Sequence, residues 1–108
     1  MIFTIDEIQK RVKPVAEKYG LKAVYVFGSY ARGEADQESD IDLLIDRSGS
    51  KLRGMFDMGS LYNELCTSCG KEIDLITTNT LEQISTKERI PLFVENLQNE
   101  RIQIYGER

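Results

Sequence analysis

Apolar residues recur at Ile5, Ile8, Val12, Val15, Ala16 and Tyr19, the spacing that gathers them on one face of a helix. The helix is predicted over residues 3–20. Thr4 and Glu7 stand in the relation of a capping box, Phe3 and Ile8 in that of a hydrophobic staple, and Gly20 is placed to end the helix. Pro14, inside it, is expected to kink it or end it early. Residues 21–27, rich in valine and aromatics, read as a strand, residues 29–32 as one helical turn, and residues 40–46 as a second strand. The run RSGS at 47–50 is a loop. Helical spacing returns over 52–69, with Leu52, Met55, Phe56, Gly59, Tyr62, Cys66 and Cys69 predicted on one face. Residues 72–77 read as a third strand, 81–84 as a short helix, Pro91 to Leu97 as part of another with Pro91 near its first turn, and 101–105 as a last strand.

This order predicts an α/β fold: one small mixed β-sheet of about four strands, covered by helices. The long crossover helix between the second and third strands favours a parallel pair. The short link between the first and second permits an antiparallel one. No repeat, linker or low-complexity tract interrupts the 108 residues, so a single domain over 1–108 is expected.

Composition narrows the chemistry. At 41% hydrophobic and 30% charged, the chain can bury a modest core. It contains no histidine, which removes Ser-His and Cys-His catalysis and His-ligated metals. The two cysteines, Cys66 and Cys69, precede Gly70 at the end of a helical pattern, the wrong end of the dipole for a redox pair. They read as reduced thiols on a packed face. The net charge is −4, and no Lys/Arg run stands out, so direct nucleic-acid binding is not expected. The first residues lack a basic and apolar leader, and no apolar run is long enough to span a bilayer. No membrane association and a cytoplasmic location are expected. Self-association is left open.

The charge is unevenly distributed. Between Gly28 and Asp42 lie Glu34, Asp36, Glu38, Asp40 and Asp42 against Arg32 alone, so this one stretch carries the imbalance of the whole chain. Residues two apart on a strand share a face and lie roughly 7 Å apart. Asp40 and Asp42 therefore project together, while Ile41, Leu43 and Ile45 face the core. In the third strand Asp74 shares its face with Glu72 and Ile76, and beside the second strand it can join Asp40 and Asp42. Three carboxylates and water make a hard oxygen site suited to Mg²⁺, with positions open to substrate phosphates. Gly28 lets the backbone approach a ligand, and Ser29 offers a hydroxyl and free N–H groups at a helix start. Together they form a phosphate cradle facing an acidic cluster. Arg32 either reaches a phosphate or pairs with Glu34 or Asp36. Tyr30 either packs near the ligand or lies on the surface.

The stretch GSYARGEADQESDID, with its Gly-Ser, ten residues and Asp-x-Asp, resembles the DNA polymerase beta-like nucleotidyltransferase superfamily. With Ala31-Arg32-Gly33 and the short length, it is most similar to the minimal nucleotidyltransferases, the MNT antitoxin partners of HEPN proteins. The resemblance covers residues 21–78 firmly and the flanks by length and pattern. It implies that Gly28, Ser29 and Arg32 bind the nucleotide. It also implies that Asp40, Asp42 and Asp74 hold Mg²⁺, two ions with Mn²⁺ as a substitute, and that Asp74 favours deprotonation of the attacking hydroxyl. The implied reaction moves AMP from ATP to a tyrosine of a small helical HEPN ribonuclease, silencing that toxin. An aminoglycoside-type nucleotidyltransferase is the alternative within the superfamily, although such enzymes carry an acceptor domain for which 108 residues leave no room. A non-catalytic nucleotide- and partner-binding module is the alternative outside it, and the complete acidic trio counts against that reading.

Overall fold

The computed structural model describes residues 2–78 and 99–106. The helices expected at 81–84 and around Pro91 to Leu97 lie outside the described residues. Helix α1 spans Ile5–Tyr19. Its start is the expected capping box: Glu7 N–H donates to Thr4 Oγ1 at 3.1 Å, and Thr4 N–H donates to Glu7 Oε1 at 3.0 Å. Phe3 and Ile8, the staple pair, are both buried in the main core. Of the two outcomes expected at Pro14, the early end does not occur: the helix runs through it to Tyr19. Pro14 lies on the exposed face, where the carbonyl it leaves without a donor is open to water.

Strand β1 is Ala23–Phe27, followed at once by the short helix α2, Gly28–Arg32. Strand β2 is Ile41–Asp46, helix α3 is Met55–Cys69, strand β3 is Ile73–Thr77 and strand β4 is Ile102–Gly106. The four strands form one mixed sheet in the order β3-β2-β1-β4. As expected, β1 pairs with β2 antiparallel and β2 with β3 parallel. Strand β4 adds antiparallel to the free side of β1.

One sheet face and the helices α1 and α3 enclose the core. Val24, Val26, Ile41, Leu43 and Ile45 meet Ile8, Val12, Ala16, Leu61, Leu65 and Cys69 there. The apolar stripe of α3 differs from the predicted one. Leu61, Leu65 and Cys69 are buried, whereas Met55 and Phe56 are 90% and 95% exposed at the first turn. The other sheet face carries a smaller cluster, Phe27 and Leu44 with Tyr25 and Ile76 against them. Leu44 is therefore buried on the face that also bears Asp42, and β2 is held from both sides. Among the described residues no helix is long and apolar enough to cross a membrane.

Candidate active site

The sheet topology brings the chemistry to one end. The register places Phe27 opposite Asp42, and Asp42 opposite Asp74. Residues directly opposite share a face, so Asp42 and Asp74 stand side by side at the edge of the Phe27–Leu44 cluster. Ile41, Leu43, Leu44 and Ile45 are fully buried around Asp42, each contributing ~1.5–3 kcal/mol. Two carboxylates at about 4 Å repel by ~4 kcal/mol near a protein surface. Burial of β2 therefore outweighs that repulsion and holds the acids where they are.

The chain turns away from β1 directly against this pair. Gly28 has φ +72°, and a β-carbon at this position would overlap Asp42 Oδ2 and lie 3.0 Å from its carboxyl carbon. Only glycine satisfies both the left-handed backbone and the close approach. Helix α2 starts here with no side-chain cap on its first turn, which leaves its leading N–H groups without the partner a capping side chain supplies. Ser29, half-buried, is its second residue. Gly33, also left-handed, closes the turn by donating to the carbonyls of Ser29 and Tyr30.

Asp42 is half-buried, and its pKa rises to about 7. Burial is the main cause, followed by a hydrogen bond to Asp74 and by the negative charges of Asp74 and Asp40; Arg32 opposes them. Below that pH Asp42 keeps its proton and is hydrogen-bonded to Asp74, which relieves the repulsion of two adjacent carboxylates. Asp74 and Asp40 are exposed, Asp40 one residue ahead of β2. The loop before it is tied down at Lys71, whose Nζ donates to the Gln37 carbonyl at 2.9 Å. The structure thus pairs Asp42 with Asp74 and leaves Asp40 at the entrance. Among the described residues no three acidic or thiol side chains close into a set that could hold a metal ion unaided. The donors nevertheless fit a hard divalent cation in type and charge: they are carboxylate oxygens, two of them side by side on neighbouring strands, the ligand class such cations take.

Arg32 pairs with acids. Its Nε lies 3.3 Å from Glu34 Oε1 and its Nη1 3.1 Å from Glu100 Oε2. Asp36, the other expected partner, instead accepts from Glu38 N–H and the Ser39 hydroxyl in its own loop. Glu100 is 68 residues from Arg32, and no local spacing signals it. Tyr30 is 5% exposed within the main core, which removes the surface alternative; its hydroxyl is buried and finds no hydrogen-bond partner among the described residues. Cys66 and Cys69 are free thiols, and burial pushes Cys69 up to about 11, an inert state.

The model of the family described as polymerase beta, nucleotidyltransferase matches residues 10–106. A candidate protein adenylyltransferase of Methanocaldococcus jannaschii is 34% identical over 100 residues, spanning 93% of this chain and 97% of the relative. Among solved structures, a candidate minimal nucleotidyltransferase is 27% identical with a TM-score of 0.62, over 93% of this chain and 95% of its own. The complex of a tri-AMPylated Shewanella oneidensis HEPN toxin with its MNT antitoxin matches with a TM-score of 0.60 at 14% identity, over 96% of this chain and 74% of that one. That last likeness is one of fold.

Proposed function

This chain belongs to the polymerase beta nucleotidyltransferase family, and from that membership we propose that it transfers AMP from ATP to a tyrosine hydroxyl of a small helical HEPN-type ribonuclease, acting as its antitoxin. The observation that carries the reading is the contact of Gly28 with Asp42. It joins a turn suited to phosphate to a carboxylate pair suited to a divalent cation, with no side chain between them. The names of the relatives support the reaction class: a candidate protein adenylyltransferase, and an antitoxin in complex with an AMPylated HEPN toxin.

In this reading Gly28 and Ser29 receive the triphosphate at the open N–H groups of α2, and Arg32 adds a guanidinium to it. Asp42 and Asp74, with Asp40 from the entrance, hold Mg²⁺; two ions fit the family pattern and Mn²⁺ substitutes. When bound, the cation neutralises charge building on the phosphate oxygens and lowers the pKa of a bound hydroxyl. Asp42 gives up its proton on loading. Asp74, the exposed member of the pair, takes the proton of the acceptor hydroxyl. The acceptor oxygen bonds to the α-phosphorus as the bond to the bridging oxygen breaks, and pyrophosphate leaves. An ATP-dependent reaction of this kind belongs in the cytoplasm.

The test is transfer of ³²P from α-labelled ATP, with Mg²⁺, to the protein encoded beside this one. A labelled partner that has lost ribonuclease activity is the expected result. Label on an aminoglycoside and none on the neighbour selects the small-molecule reading. Tight ATP binding with no transfer to any acceptor selects the non-catalytic module.

A further inference from the structure

Arg32 stands at the same end of the sheet as the carboxylates. Strand β4 begins where β1 ends, since Ile102 pairs with Val26. Glu100, just ahead of β4, therefore lies beside the turn that carries Gly28, Ser29 and Arg32, on the side away from β2 and β3. Two carboxylates already occupy the guanidinium: Glu34 from the loop after α2, and Glu100 from the far end of the chain. The Arg32 side chain is 41% exposed; Glu34 is the more exposed partner at 62% and Glu100 the less exposed at 32%. Arg32 is also close enough to Asp42 to favour its ionised form.

A guanidinium offers five donors in a planar fork that matches phosphate as well as carboxylate. Here two of its edges face Glu34 and Glu100, and each glutamate adds negative charge where a triphosphate would approach. A triphosphate carries several charges and binds bidentately, whereas an exposed carboxylate pair is a weak tether. The tether can therefore be exchanged for the ligand. We propose that Glu100 is an affinity-setting residue: it holds Arg32 in the nucleotide-free protein and releases it to the triphosphate, so that binding is weakened by the need to open this ion pair. The proposal rests on the reading of Arg32 as a nucleotide contact. Because β4 pairs with β1 at the edge of the sheet among the described residues, the exchange also connects the nucleotide site to that strand.

The experiment is a double-mutant cycle read by calorimetry. The full chain is titrated with Mg²⁺ and α,β-methylene ATP, which cannot transfer AMP. Glu100→Gln is expected to tighten binding about threefold to fivefold, the factor set by an exposed ion pair. In an Arg32→Gln background the same change should do nothing. If Glu100→Gln weakens binding or leaves it unchanged while Arg32→Gln weakens it, Glu100 braces Arg32 or is idle, and the exchange is wrong although Arg32 still contacts nucleotide. If Glu100→Gln tightens binding equally in both backgrounds, the effect is general charge repulsion and the route through Arg32 is overturned. If Arg32→Gln leaves affinity unchanged, the nucleotide role of Arg32 itself fails. As an independent readout, the Arg32 Nη–H resonances, on the edge that meets Glu100, should shift on titration in the wild type. An unmoved resonance at saturation contradicts the exchange.

Discussion

A β-carbon on residue 28 would fall on the carboxylate of Asp42, so glycine at one position and aspartate at the other are a single structural requirement. Gly28→Ala meets two obstacles: a left-handed backbone and a blocked approach. The expected cost is about 1–3 kcal/mol of stability, read from the urea midpoint. Nucleotide affinity should fall with it, because Asp42 is displaced from its register with Asp74. In an Asp42→Ala background the steric part disappears, and the penalty of Gly28→Ala should shrink to the backbone part alone. An equal penalty in both backgrounds means that the contact does not determine the residue.

Much of this arrangement is legible in the chain because it follows from short-range rules. The two-residue period sets Asp42 on the face opposite Ile41 and Leu43, and Asp74 on the face opposite Ile73 and Leu75, while the crossover helix makes β2 and β3 parallel neighbours, whose register then puts the two acids side by side. The Thr4–Glu7 box is written in four residues. What is not legible depends on long-range placement. Glu100 meets Arg32 only because β4 closes on β1. Leu44 is buried on the acidic face, against Phe27, although strand alternation alone sets it with the aspartates. Met55 and Phe56 fit a helical stripe by spacing, but α3 begins at Met55, and its first turn stands clear of the core that receives Leu61, Leu65 and Cys69.

The Thr4 cap separates folding from chemistry. Thr4→Ala removes the acceptor for Glu7 N–H and should cost ~1 kcal/mol. Helix α1 packs on the sheet face opposite Asp42, so the affinity for Mg²⁺ with α,β-methylene ATP should stay within about twofold of wild type, since distant sites act independently. A larger loss of affinity at full occupancy of the folded state would show that α1 and the acidic face are coupled.

Chelation tests the cation without altering the chain. Asp42 and Asp74, side by side and short of positive charge, should repel a bare triphosphate. Titration with α,β-methylene ATP in EDTA is expected to give binding weaker by about tenfold or more than with Mg²⁺, and Mn²⁺ should restore it. Equal affinity with and without EDTA contradicts a cation bridge between the carboxylates and the phosphates.

The proton on Asp42 makes the stability of the metal-free protein depend on pH. The folded pKa of Asp42, about 7, lies above the ordinary value of 3.8. Between those values the unfolded chain has lost this proton while the folded protein keeps it, so the stability of the metal-free protein falls as pH rises across the window. Above about pH 7 both states are ionised and this dependence ends. Asp42→Asn cannot ionise and removes the repulsion at every pH. Its melting temperature should match the wild type near pH 4, exceed it by about pH 8, and show a flatter profile between. Mg²⁺ affinity of the wild type should rise up to about pH 7 and then level, since the cation no longer displaces a proton. The same variant loses a charge from the site, so AMP transfer should fall at least about a hundredfold while the fold is retained. An Asp42→Asn variant that melts like the wild type on the alkaline side of this window and transfers AMP at the wild-type rate would remove Asp42 from both roles.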